Sequence, residues 1–316
     1  MTERQINLAF VGTGPWARRQ HFPVLQHLVK TLPEEAGITL NLRGIASLEL
    51  AAARDAAERV GFEVVYPHLD ALLEDSSVNA IAVAVPPHAA KSVIEQVAAR
   101  QLPLFSEKPP GISLAEAEAL GELVQVPHVL AFNRRFAPLN NTFKQIVADM
   151  DRIYFVEGHF LRHQRLDPAF MVGTGIHWIN FMIYCFGEIT TVTVERFQNP
   201  SQECWNRIAQ LTFPGDLRGL LKVFPCSGSS VEQLEVHSST QSAYLDGPLG
   251  SNPGRILISR GESQEIIEQE VTRPEIVRVG IVGEYHEFFT RACAGLSTRS
   301  TFQNAVNAMR VAELLG

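Results

Sequence analysis

The chain has 316 residues, 46% of them hydrophobic and 19% charged, with a mean hydropathy of +0.02. That length suits two ordinary domains. The composition excludes a disordered chain, which buries too little apolar surface to offset its entropy, and also collagen-like and disulfide-scaffold proteins. Lys plus Arg number 27 and Asp plus Glu 34, a formal net charge of −7, so the chain as a whole has no attraction for nucleic acid or anionic lipid.

The N-terminal segment MTERQINLAF lacks a long apolar run, and no stretch reaches the ~18 uninterrupted apolar residues of a membrane span. A cytoplasmic chain is expected. Residues 6–11 (INLAFV) form a strand-sized apolar run suited to a parallel strand buried on both faces. The run stops at Gly12-Thr13-Gly14-Pro15-Trp16-Ala17, and a polar–apolar segment interrupted by Pro23 continues through Thr31. Residues 38–46 read as a second strand, 48–60 as a helix rich in helix formers, Val64 and Val65 as a short strand, and 69–73 as a short helix. Residues 79–85 form another strand ended by Pro86 and Pro87, 88–100 a helix, and 102–106 a strand ended by EKPPG. Strands alternating with helices imply βαβ units and a parallel sheet.

The glycine motif follows the first strand and opens a helical segment, the context a dinucleotide fingerprint requires. Gly12 permits the tight turn, Gly14 leaves room for a pyrophosphate, and Ala17 allows close helix–strand packing. Pro15 suits a first helical turn, and the helix N-terminus offers free N–H groups to phosphates. At the end of the second strand, where NAD enzymes carry an acid for the ribose 2′-hydroxyl, stands Ser47. A serine does not repel a 2′-phosphate, though no Arg follows it directly and Glu49 is a nearby acid. NAD and NADP both stay open, with a slight lean to NADP.

From residue 153 onward strand-like runs dominate: IYFVEGHFL, ITTVTVERF, RIAQLTF, LRGLLKVF, QLEVHSS, SAYLDG and GRILISRG. Several alternate apolar and polar residues, as antiparallel strands with one wet face do. A helical segment at 177–186 interrupts them, Pro and Gly at 247–254 mark a loop, and a final helix spans 302–315. Cys185, Cys204, Cys226 and Cys293 form no C-x-x-C pair and read as reduced thiols. Glu157, His159 and His163 share one side of a strand, read as its polar face, and no metal site is expected.

Glu107-Lys108-Pro109, closing the strand–helix series, resembles the signature of the Gfo/Idh/MocA oxidoreductases, the relatives of glucose–fructose oxidoreductase and inositol dehydrogenase. The likeness extends to VGTGPWA, to VAVPPHAA with Pro86 and Pro87, to FNRRFAP at 132–138, to GTGIHWINFM at 173–182 and to EYHEFFTRACAGL at 284–296. It implies a doubly wound Rossmann domain over residues 1–127 and an α+β domain over 128–316 with a large, mostly antiparallel open sheet. That sheet would pair subunits, a homodimer being favoured. The resemblance gathers Gly12, Thr13, Gly14, Pro15, Trp16, Ala17, Ser47, Pro86, Pro87, Glu107 and Lys108 around an NAD or NADP cofactor. It makes Lys108 the residue that moves a proton beside the nicotinamide and His177 the second acid/base residue.

The chain departs from the family pattern at Gly173 and Asn180, where Asp is common. His177 and Asn180 lie one helical turn apart, and an Asn orients a hydroxyl but is no base. Asn133, Arg165 and Asn180 are the expected substrate contacts. Asn133 and Arg135 read as facing the cleft between the domains, with surface ion pairs the alternative for Arg134 and Arg135, and Tyr285 and His286, on a C-terminal helix, carry little weight. The resulting reading is an oxidoreductase that moves a hydride between nicotinamide and a sugar, cyclitol or related alcohol or carbonyl compound. The alternative is a regulatory dinucleotide-binding protein of the same fold without turnover. Redox chemistry internal to a lyase or hydrolase reaction is a third possibility.

Overall fold

The computed structural model describes residues 4–316; residues 1–3, which begin the N-terminal segment considered above, lie outside that range. Along the chain come β1 (Arg4–Val11), α1 (Phe22–Ala36), β2 (Ile38–Ala46), α2 (Leu50–Val60), β3 (Val64–Tyr66), α3 (Leu69–Glu74), β4 (Ala80–Val83), α4 (Pro87–Ala98), β5 (Leu104–Ser106), α5 (Leu114–Leu123) and β6 (His128–Leu130). The six strands pair in parallel in the order β3-β2-β1-β4-β5-β6, the doubly wound order of a Rossmann fold. Leu8, Ala9 and Phe10 of β1 and Ala80, Ile81 and Ala82 of β4 are wholly buried. Strands covered by helices on both faces need such unbroken apolar runs. Residues 31–36 are the last turns of α1. That helix runs through Pro33 to Ala36 and ends at Gly37 with φ of +63°.

The rest of the chain supplies α6 (Pro138–Ala148), β7 (Ile153–Leu161), α7 (Ile176–Phe186), β8 (Thr191–Gln198), β9 (Trp205–Thr212), β10 (Arg218–Phe224), β11 (Val231–Ser238), β12 (Ser242–Asp246), β13 (Arg255–Arg260), β14 (Ser263–Glu268), α8 (Glu275–Arg278), α9 (Ile281–Thr290) and α10 (Val306–Leu315). Its eight strands form one sheet, β14-β13-β12-β11-β7-β10-β9-β8. Every pair is antiparallel except β7 with β10, which run parallel because α7, β8 and β9 intervene between them. Along β7, Val156, Gly158 and Phe160 are buried while Glu157 and His159 are half-buried. A Cβ on Gly158 would meet Met182 Sδ at 2.8 Å and Trp178 Nε1 at 3.1 Å, so this glycine lets α7 lie against the sheet. β14 (SQEIIE) escapes sequence reading because almost all of it is exposed, so its pattern does not alternate.

The chain packs as two compact units. One comprises the residues through Ala131 together with Ile281–Val306, the other Phe132–Gly280 together with Asn307–Gly316. In the first, α9 covers the β5 end of the parallel sheet. Phe105 stacks on Tyr285 at 4.0 Å and meets Phe288 edge-on at 5.7 Å. Beyond α9, the Leu130 N–H donates to Ser300 O and the Ser300 hydroxyl donates to Leu130 O. Among the described residues no helix is long and apolar enough to cross a membrane.

Phe288 is fully buried, so Phe288→Ala is expected to lower stability by about 3–5 kcal/mol. The check is the fall in urea midpoint followed by circular dichroism.

Candidate active site

In the first unit the strand ends form one edge. β1 and β4 are neighbours whose chains leave in opposite directions, which makes the gap between them the switch point where ligands bind in open α/β sheets. Gly12 closes β1 with φ of +112°, and a Cβ there would stand 2.2 Å from Ala84 O. Only glycine fits. The Gly12 N–H donates to Ala46 O at 2.8 Å, and Ala84 N–H donates to Val11 O at 2.9 Å, so the turn is pinned from both neighbouring strands. A Cβ on Gly14 would meet nothing within 4 Å. The helical turn that follows has no acidic residue at its start, and Ala17 is buried against the sheet. An open turn followed by a helix N-terminus suits a pyrophosphate. Pro86 and Pro87, which open α4, stand at the same edge.

Thr13 ties this turn to the end of β2. Its hydroxyl lies 2.8 Å from Ser47 Oγ, and Arg18 Nε donates to its carbonyl oxygen at 2.8 Å. A cation therefore stands at the glycine turn, on the Thr13 carbonyl. The pattern-based reading did not single out Arg18, because the expected place for such a residue is after the strand and not in the helix.

At the end of β5, Glu107 Oε1 accepts from Trp16 Nε1 at 2.9 Å and lies 3.0 Å from His21 Nε2, while Oε2 accepts the Lys108 backbone N–H at 3.1 Å. Burial pushes the Glu107 carboxyl up, but His21, the Lys108 charge and Trp16 outweigh it and hold it below the usual carboxylate value. His21 is wholly buried, with the Tyr285 hydroxyl 2.8 Å from its Nδ1. Burial, together with the charges of Glu284 and Glu107, raises the Tyr285 phenol well above its ordinary value, so it stays protonated. Lys108 itself is half-buried.

In the second unit a π-turn, Met171–Gly175, leads into α7. His177 is buried, its ring edge-on to Phe132 at 5.9 Å. Asn180, wholly buried, accepts from Arg135 Nε at 2.6 Å, and the Arg135 guanidinium lies 5.0 Å above the Tyr184 ring. Arg135 is thus a core residue and not a surface ion pair. Arg134 differs in the same way: it grips Glu232, 2% exposed, through Nη2 at 2.6 Å and Nε at 3.1 Å, and Arg162 shares that carboxylate. Burial pushes Glu232 up, and the two guanidinium groups more than reverse this. The Asn133 amide donates to Val279 O at 2.7 Å and accepts from Arg134 at 2.8 Å. Arg165, half-exposed, donates to Asp167 and to the Thr174 hydroxyl at the π-turn. Gly173 has no atom within 4 Å of where a Cβ would stand. Glu157 is held by His159 at 2.8 Å and Lys222 at 2.6 Å, and among the described residues no group of three potential ligands converges on a metal position.

The expected cofactor residues therefore meet along one sheet edge, whereas Asn133 and Arg165 already serve neighbouring turns, and Asn180 serves Arg135. His21, Arg18 and Glu232 are additions that pattern reading missed.

Residues 6–133 match the model of an oxidoreductase family with an NAD-binding Rossmann fold, GFO_IDH_MocA. An uncharacterized oxidoreductase of Schizosaccharomyces pombe is 27% identical over 252 residues, covering 74% of this chain, which spans 65% of that relative's length. The scyllo-inositol 2-dehydrogenase (NAD(+)) of Bacillus subtilis is 25% identical over 293 residues, 86% of this chain and 82% of its own. A solved structure of levoglucosan dehydrogenase in complex with NADH and levoglucosan shares the fold, with a TM-score of 0.82 at 16% identity over 99% of this chain and 96% of that one. The parallel-sheet region, residues 6–133, is thus similar to the NAD-binding Rossmann domain of the Gfo/Idh/MocA oxidoreductases.

Proposed function

We propose that the protein is an NAD(P)-dependent dehydrogenase that interconverts a hydroxyl and a carbonyl on a sugar, cyclitol or related small polyol. The observation that carries this reading is the sharing of one sheet edge by the turn open at Gly14 and the Glu107–Lys108 turn, with Trp16 bonded to Glu107. The relatives' names, an NAD-linked inositol dehydrogenase and a levoglucosan dehydrogenase, support the same substrate class.

In this reading the N–H groups of residues 14–17 hold the pyrophosphate, Thr13 and Ser47 face the adenosine ribose, and Pro86 and Pro87 wall the cofactor's path. A nicotinamide dinucleotide, when bound, supplies the hydride acceptor or donor. Oxidation of an alcohol also releases a proton from oxygen, and Lys108 takes it, returning it in the reverse direction. His177 assists, Asn180 and Arg165 orient hydroxyls, and Asn133 braces the segment behind them. Lys108→Ala is expected to abolish turnover on a polyol and sugar panel while leaving NADH affinity nearly unchanged; retained turnover rejects the assignment.

Ser47 brings no negative charge to the ribose pocket, and Arg18 stands beside it through Thr13. Both favour a 2′-phosphate, so NADPH is expected to bind more tightly than NADH in calorimetric titrations, and Arg18→Ser to remove the difference. Tighter NADH binding overturns the preference.

A second reading, a regulatory protein that binds dinucleotide without turnover, is favoured by Gly173 and by the neutral Asn180. Binding of NADH with no turnover across the panel decides for it. Both readings include a cytoplasmic homo-oligomer joined through the half-exposed face of the eight-stranded sheet, where Phe155, Leu220, Leu257 and Ile266 lie among polar residues. Light scattering is expected to give the mass of a dimer or more; a monomer at micromolar concentration overturns this.

A further inference from the structure

Trp16 and His21 touch the same carboxylate oxygen although they are five residues apart. At ~100° per residue, an α-helix would turn two such side chains about 140° away from each other. The segment Ala17–His21 is a π-turn, with the Phe22 N–H bonded to Ala17 O. Closure from i to i+5 brings the later residue round beneath the earlier one. π-turns of this kind are concentrated at functional sites.

The far side of His21 is equally determined. Its Nε2 stands 3.0 Å from Glu107 Oε1, and its Nδ1 lies 2.8 Å from the Tyr285 hydroxyl. The Tyr285 ring is stacked on Phe105, in the strand that ends just before Glu107, with the planes 11° apart. Glu107 then uses its remaining oxygen on the backbone N–H of Lys108. One chain of contacts thus runs from α9 through His21 to a single part-buried carboxylate, and from there to both the glycine turn and the Lys108 turn.

We propose that Glu107 is a positioning residue whose carboxylate, oriented by the Tyr285–His21 pair, locks the glycine turn to the Lys108 turn and thereby sets dinucleotide affinity. The consequence for catalysis rests on the proposed role of Lys108; the lock does not, since Glu107 holds the backbone of residue 108 and not its side chain.

The test uses the full chain labelled with 15N. Of its three indole N–H resonances, from Trp16, Trp178 and Trp205, the first is assigned by its loss in Trp16→Phe. Tyr285→Phe keeps the ring stacked on Phe105 and removes only the hydroxyl. It is expected to move the Trp16 indole resonance and to raise the NADH Kd several-fold. A role confined to packing α9 would leave that indole where it is. Glu107→Gln places an amide donor against the Lys108 N–H or against Trp16 and His21, and is expected to raise the NADH Kd about tenfold, as for the loss of a charge-assisted hydrogen bond. Trp16→Phe, at a side chain 43% exposed, gives a similar rise without touching the core. An unmoved indole in Tyr285→Phe overturns the lock. An NADH Kd unchanged in Trp16→Phe and Glu107→Gln overturns its effect on affinity. Turnover surviving in Lys108→Ala overturns the proposed function alone, since the lock is read from the indole and the NADH Kd of the other variants.

Discussion

The end of β1 has no room for a side chain. Gly12 passes so close to the carbonyl of Ala84 that a single extra carbon would collide with it, and the chain turns there through a backbone angle that other residues rarely adopt. This contact keeps β1 and β4 side by side at the point where the winding of the sheet reverses. Every other feature of the edge is measured from it: the open face at Gly14, the link from Thr13 to Ser47, and the reach of Trp16 across to Glu107. In a chain with a net charge of −7, an anion is attracted only by local groups such as the free N–H donors of a helix N-terminus, against an unfavourable overall field.

The parallel half of the fold is legible in sequence because buried parallel strands are unbroken apolar runs, and because glycine at a strand end has few alternatives. The antiparallel strands that show one face to water are legible by alternation. Where these physical signals fail, so does the reading. β14 has almost no buried residues and therefore no pattern, and the parallel pairing of β7 with β10 depends on what lies between them and not on either strand's own residues. Ile281–Val306 carries helix-forming residues, but nothing local says that it packs with the parallel sheet.

The site divides in the same way. Residues that need a particular backbone or stand in a short motif, such as Gly12, Gly14 and Lys108, can be picked out from their neighbours in the chain. Residues that matter through a distant partner cannot. His21 acquires meaning from Glu107 and Tyr285, Arg135 from Asn180, and Arg134 from Glu232. In the second unit a buried guanidinium meets a neutral amide. An amide there donates and accepts hydrogen bonds but does not trade protons.

The π-turn after Trp16 has a further meaning for how this chain can change length. A π-turn amounts to one extra residue held within an α-helix. Removing one residue from 18–20 would restore ordinary helical winding and leave Trp16 and His21 at i and i+4, still on one face. Adding one there would turn His21 away from Glu107 even though no contacting residue had been altered. The last turn of α1, by contrast, ends at Gly37, one residue before β2, at the opposite end of the helix from His21. Within a single helical stretch, the contacts at Glu107 count residues at one end only.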